Sequence, residues 1–382
     1  MRLFVVIAAV LSALPVGVFA DDADPGLVEI GDPPRTHAHF LNAREASLCR
    51  ASAATGGVES YFLNPACVSG IGDVSGQATF RFVAVSRDYL PEGLDASDGA
   101  FLLSQAAAVK RSGTWVFGFG YSAPSYRNLE LTGERADTAA VARSYEGTFK
   151  SALRFFEAVF AARIGKGGRG AVGIAAGVVN LSESVREVEG ETLDTAEVSG
   201  SAGSVAIGVL YDAAGTVTLG AGYRWGSRID VQGDWYDEQG MSGSSKTQPT
   251  TVAGVTVRVM PALTLHASYI AEGWDAATAT LSAYPQNGGR RNEFDDAVAT
   301  VALGAEGTLM GGKLVLRAGG STQVANETAH GTVPEWAAGL GGTYRFEGYA
   351  LDAALVRERY AVDGEGGKIS DYGGYLTVSY DF

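Results

Sequence analysis

The segment that decides the fold is Tyr372-Gly373-Gly374-Tyr375-Leu376-Thr377-Val378-Ser379-Tyr380-Asp381-Phe382. Counting back from Phe382, every second residue is apolar or small: Tyr380, Val378, Leu376 and Gly374. The residues between them are mostly polar: Asp381, Ser379 and Thr377. A period of two sends alternate side chains to opposite faces of a strand, so this stretch has one apolar and one polar face. In a barrel that spans a bilayer, the first face meets lipid and the second a lumen.

The same alternation recurs upstream, and fourteen such segments can be placed between about residue 76 and residue 382. In Thr114–Ala123, Trp115, Phe117, Phe119 and Tyr121 share one face, and Val116, Gly118, Gly120 and Ser122 the other. In 216–227, Val217, Leu219, Ala221, Tyr223 and Trp225 oppose Thr218, Gly220, Gly222 and Arg224. A helix would scatter both sets. The connections alternate as well. Short ones lie at 111–113, 165–170, 212–215, 260–261, 308–312 and 347–348. Long ones lie near 87–100, 124–149, 183–200, 228–248, 273–294, 322–334 and 360–370. Tight turns at one end and long loops at the other are the up-and-down pattern of a membrane barrel, and an even strand number closes it. A soluble sandwich has no reason to sort its loops this way, and a propeller would show a repeat. The predicted fold class is all-β: a transmembrane antiparallel up-and-down β-barrel of about 14 strands with an N-terminal plug. A last strand ending on Phe382, with Tyr380 two residues before it, resembles the closing strand of a bacterial outer-membrane barrel.

The other end of the chain agrees with export. Met1-Arg2 is a short basic start, Leu3 to Val10 is apolar, and Val18-Phe19-Ala20 is a small-x-small cleavage site before Asp21. This pattern predicts a cleaved signal peptide over 1–20. The run is too short, and interrupted by Pro15, for a membrane helix. No Cys follows the site, which argues against a lipoprotein anchor. A net charge of -14 argues against a nucleic-acid partner, since phosphate binding needs basic patches. Cys49 and Cys67 are the two cysteines, and they either close one small loop as a disulfide or remain free thiols. No second pair of ligands stands near them, so no metal is expected. Neither a cofactor nor a catalytic residue is expected, and the chain reads as a non-enzyme.

Residues 21–75 do not alternate. A wall of fourteen strands, expected over 76–382, encloses a lumen too wide for side chains alone to fill, so 21–75 is predicted to fold back as a plug. Within it, Tyr61-Phe62-Leu63-Asn64-Pro65-Ala66 follows an Ala/Gly-rich stretch, Ala51–Gly57. This resembles the opening of the FadL-type family, the outer-membrane transporters of long-chain fatty acids and aromatic hydrocarbons. Phe294-Asp-Asp-Ala297, Ala302–Gly307, Lys313–Gly319 and Gly339–Phe346 resemble later passages of the same family. Cys67 stands where that family commonly has Gly.

The resemblance implies that Asn64, Pro65 and Ala66 lie inside the barrel. It also implies a monomeric outer-membrane protein that takes up hydrophobic small molecules, such as long-chain fatty acids, without energy input. Ligand would be captured among the loops, moved to an apolar lumenal site, and released sideways into the bilayer at a kink in the third strand. An apolar molecule gains from such a path and nothing from a water-filled pore. Gly118 and Gly120 lie on the third strand's lumenal face, and Gly weakens strand pairing, so the opening is expected there; the alternative is that these small residues only make room for the plug.

Alternation also puts Arg81, Glu157, Arg163, Arg224, Arg258, Glu306, Arg317, Arg345, Asp352 and Glu358 in the lumen. Such charges pair with one another and with the plug, or one or two arginines, Arg224 and Arg317 being the candidates, hold a ligand carboxylate. His266-Ala-Ser268 has the His-x-Ser pattern of outer-membrane phospholipases. It faces away from lipid and lacks a third orienting group, so catalysis is not expected. His37-x-His39 has metal-like spacing but no nearby carboxylate or thiol. The long loops are acidic, with Asp88, Glu92, Asp95 and Asp98 in one and Glu183, Glu187, Glu189, Glu191 and Asp194 in another, which serves solubility or an unspecific binding of divalent cations. Two rival readings remain at this level: an adhesive surface barrel, and a general diffusion porin.

Overall fold

The computed structural model describes residues 40–87, 94–136, 142–189, 192–235, 238–273, 278–281, 290–293, 297–325, 335–361 and 368–381. The expected signal peptide, residues 21–39 of the expected plug with His37 and His39, and Phe294-Asp295-Asp296 lie outside the described residues.

Eighteen strand segments form one sheet. The first six wall strands are unbroken: β1 (Val74–Arg87), β2 (Leu94–Ser112), β3 (Trp115–Ala136), β4 (Ala142–Ile164), β5 (Gly170–Glu189) and β6 (Thr192–Asp212). The next four wall strands each come in two segments. These are β7 (Val217–Arg224) with β8 (Arg228–Trp235), β9 (Glu238–Lys246) with β10 (Thr250–Met260), β11 (Leu263–Gly273) with β12 (Thr278–Leu281), and β13 (Arg290–Glu293) with β14 (Ala297–Leu309). β15 (Leu314–Ala325), β16 (Trp336–Phe346), β17 (Tyr349–Ala361) and β18 (Lys368–Asp381) complete the wall. β1 pairs antiparallel with β2 on one side and with β18 on the other, so the ring closes as fourteen antiparallel strands.

The faces sort as alternation predicts. In β18, Val378 points out while Tyr375 and Thr377 point in. On β3, Trp115 is 61% and Phe119 75% exposed, whereas Val116 between them is buried. Tyr223 and Trp225 pack edge to face at 4.8 Å on the outer surface. An apolar exterior this continuous is unsuited to water and suited to acyl chains. Near the short turns, Tyr344, Phe346, Tyr349 and Tyr380 form a row with ring centroids 6.4, 6.0 and 5.7 Å apart, as in an interfacial aromatic girdle.

The strand bounds differ from the expected ones. The wall begins at Val74, and β3 to β6 continue far into regions read as loops; β4 has 23 residues. At about 3.3 Å per residue that strand is roughly 75 Å long, while a bilayer crossing needs only about 9–11 residues. Beyond the membrane both faces are free to be polar, so the period-two signal fades where pairing does not.

Residues 40–73 run inside the wall. They hold one helix, α1 (Ala43–Ser47), and 3-10 turns at Val58–Ser60 and Pro65–Gly70. Asn42 caps α1 by accepting from the Glu45 amide at 2.8 Å, while the Glu45 carboxylate accepts from the Leu41 amide at 3.0 Å. This reciprocal pattern fixes the start of a helix too short to stand alone.

Candidate functional site

Asn64-Pro65-Ala66 lies at the plug–wall boundary and is fully buried. Asn64 donates through Nδ2 to Ala53 O in the plug at 2.9 Å and to Val209 O of β6 at 3.1 Å. Its Oδ1 accepts from the Ala66 amide at 3.1 Å, and Pro65 opens the following turn, where a missing N–H costs nothing. One asparagine thus closes a plug turn and ties it to the wall. The wall answers with glycine. A Cβ at Gly208 would overlap the Asn64 side chain, and one at Gly319 would sit 2.6 Å from the Leu48 carbonyl carbon of the plug. The plug backbone therefore approaches the wall at distances that only glycine permits.

The lumen is divided into two unlike sides. Across β14, β15 and β17 lies an ionic chain. Arg44 of the plug bonds Glu59 at 2.5 Å and Glu306 at 3.2 Å. Glu306 also bonds Arg317 at 2.7 Å, and Arg317 reaches Asp352 at 3.0 Å. Across β4, β5 and β8 the lining is apolar. Leu153, Phe155, Val179, Leu181, Ile229 and Val231 share one buried cluster with Leu41, Tyr61 and Phe62 of the plug. At its margin, Arg224 bonds both oxygens of Glu157, at 2.5 and 3.1 Å, and stacks over Phe62 at 3.9 Å.

Beside the apolar side, the β2–β3 ladder is interrupted. Pairing runs from Leu94↔Gly133 to Asp98↔Leu129 and resumes in the same register at Gln105↔Ser122. Between these, residues 99–104 and 123–128 are unpaired with each other. β3 also shifts register against β4 between Ser122 and Ser125, around Pro124, which has no N–H to contribute to a ladder. β2 carries a register shift at the same level, where Thr79 pairs with Gln105 and Phe80 with Leu103. Bulges facing each other across an interrupted ladder mark a place where the described wall is locally unpaired.

The residues singled out from the sequence fall as follows. Gly118 and Gly120 are paired on both sides, to Val109 and Ala107 of β2 and to Val159 and Glu157 of β4. The interruption lies further along the same strand. A Cβ at Gly120 would collide with the Tyr61 ring, so this glycine makes room for the plug. Arg224 and Arg317 are both engaged by carboxylates. Cys49 and Cys67 are two buried free thiols, which removes the disulfide alternative: Cys49 packs near Gly339 of the wall, and Cys67 faces Ala53 O at 3.7 Å. Burial pushes the Cys49 thiol up to about 12, with Glu358 adding to the effect and Arg50 opposing it. His266 bonds Thr256 at 3.0 Å, and Ser268 accepts from the Ala53 amide of the plug at 3.3 Å, so the two side chains serve separate partners. Among the described residues no cluster of His, Cys, Asp and Glu is arranged to hold a metal. The β2–β3 interruption was not legible beforehand, although Pro124 within an aromatic strand is a signal that points to it.

No protein-family model matches the sequence, and no curated protein matches it. Solved structures do. A FadL homologue of Pseudomonas aeruginosa superposes with a TM-score of 0.69 at 14% identity, covering 92% of this chain and 100% of its own. The Pseudomonas putida toluene transporter TodX gives 0.62 at 14% identity, over 90% of this chain and 98% of its own. The Ralstonia pickettii toluene transporter TbuX gives 0.60 at 14% identity, over 88% and 98%. The chain has the fold of these proteins.

Proposed function

We propose that this protein is a passive outer-membrane channel of the FadL type, taking hydrophobic small molecules from the loop side into the bilayer. The observation that carries the reading is the coincidence of the interrupted β2–β3 ladder with the apolar side of the lumen. The ligand would enter along the apolar lining, wait against the seated plug, and leave through the wall between residues 99–104 and 123–128. The fold shared with proteins described as toluene transporters and a FadL homologue supports this. Long-chain fatty acids and neutral hydrocarbons both fit the path. A ligand carboxylate would have to displace Glu157 from Arg224 or Asp352 from Arg317, so we assign Arg224, which also bonds Phe62 O, the role of holding the plug, and Arg317 that of fixing Glu306, the partner of Arg44 in the plug.

The test is uptake of a labelled long-chain fatty acid and of labelled toluene by cells making the protein. Saturable uptake of either, lost when Leu181 becomes Glu in a folded barrel, is the expected result. Ion conductance without saturable uptake would favour the general porin, and neither activity would favour the adhesive barrel.

A further inference from the structure

The plug is bonded to the wall at the threshold of the interruption. Gln105 and Ser122 are partners across β2 and β3, the pair at which the ladder resumes. Each holds a plug side chain. Asn42 Nδ2 donates to Gln105 Oε1 at 2.9 Å, and the Tyr61 hydroxyl lies 2.6 Å from Ser122 Oγ. One residue into the interruption, Ser104 Oγ donates to Leu41 O at 2.7 Å. All six residues are buried. The two plug side chains are themselves fixed. The Tyr61 ring stands on Gly120 with no room for a Cβ beneath it, and Asn42 both caps α1 and donates to Glu59 O at 2.8 Å. A shift of the plug therefore pulls on both sides of the interruption at once.

We propose that Tyr61 and Asn42 form a latch: positioning residues that keep the β2–β3 interruption narrow while the plug is seated and free it when the plug moves. The proposal rests on the lateral-release reading and names the groups that would control it. Its physical basis is that backbone freed from a ladder at membrane depth must be satisfied by protein, and these three bonds bring protein to that place. A plug–wall contact on the far side, Ala53 with Ser268, touches neither β2 nor β3 and serves as a control.

The experiment is amide hydrogen exchange in lipid nanodiscs on the whole protein and on Tyr61→Phe, Ser122→Ala, their combination, and Ser268→Ala. Tyr61→Phe keeps the ring and removes only the hydroxyl. Amides of 99–104 and 123–128 are expected to exchange about three- to tenfold faster in either single variant, the range for one lost hydrogen bond, with no further gain in the double variant. Ser268→Ala is expected to leave these amides unchanged. Unchanged exchange in Tyr61→Phe, fully additive effects, or equal acceleration in Ser268→Ala would each overturn the latch. The lateral-release reading is tested separately by Leu102→Cys with Ser125→Cys, which face each other if the β2–β3 register continues across the interruption. Undiminished uptake with that staple oxidised would sink lateral release while the exchange data still judged the latch.

Discussion

The two sides of the lumen hold one plug by different balances of contacts: buried ion pairs beside a smaller apolar cluster on one, mainly apolar packing on the other. On the β14–β17 side, Arg44, Glu306, Arg317 and Asp352 alternate in sign, and each bond has a defined geometry. On the β4–β8 side, Phe62 meets Phe155 at 5.1 Å, edge to face, within an apolar cluster. An ionic contact is specific but costly to break, because the partner left behind keeps a buried charge. An apolar contact is non-directional, and a small molecule of similar character competes with it. On the proposed route an apolar ligand competes with the plug most directly on the second side, and that is the side with the interrupted ladder.

The comparison can be broken most sharply at Arg317. Arg317→Ala leaves Asp352 buried without its arginine and Glu306 with Arg44 alone, and about 3–5 kcal/mol of stability should be lost, read as a lower melting temperature of the folded barrel in detergent. Ion conductance in planar bilayers should rise as Glu306, the partner of Arg44 in the plug, loses its support from Arg317. A melting curve like that of the unaltered protein would mean that the ionic side contributes little.

Phe155→Ala tests the other side. It removes a ring packed on Phe62 and Arg224 and should cost about 3 kcal/mol, within the range for large-to-small core changes. The ionic anchors remain, so conductance should stay low while uptake of apolar ligand changes. High conductance in this variant would erase the distinction between the two sides.

A smaller effect is expected from the glycine contacts. Gly319→Val puts side-chain atoms into the Leu48 backbone and should cost about 1–3 kcal/mol. Gly320→Val, one residue along and across the wall from it, should change stability by no more than about 0.5 kcal/mol. Equal losses at both positions would show that strand propensity, and not plug fit, governs these sites.

The smallest effect concerns the thiols. With burial holding Cys49 near 12, its thiolate is roughly one part in ten thousand at pH 8, and a maleimide should label it only after the plug moves. Raising the pH increases labelling, since a raised thiol pKa leaves the neutral form dominant below it. Fast labelling of the resting protein at pH 8 would mean that the plug is open at this point.

Much of the wall was readable beforehand, and the reasons are local. Trp115, Phe117 and Phe119 alternate with Val116, Gly118 and Gly120 because one face meets lipid, and this constraint acts residue by residue. The bounds of β3 to β6 were not readable, because outside the membrane no solvent imposes the alternation. Asn64-Pro65-Ala66 was visible as a motif, yet its bond to Val209 O links residues 145 apart in sequence. Arg224 and Arg317 were visible as lumenal charges, but alternation says only which face a side chain takes and not which partner it meets.

The sequence alone determined a chain of period-two strands with short turns at one end, a non-alternating N-terminal region, and which side chains face inward. Those properties follow from the solvent each residue must satisfy. Closure of the ring decided the rest: the pairing of Arg317 with Glu306 and Asp352, the seating of Tyr61 on Gly120, and the interruption between 99–104 and 123–128. Each of these depends on strands far apart in sequence arriving at one height in the wall. That height is set by the register of the whole barrel, and no single segment carries it.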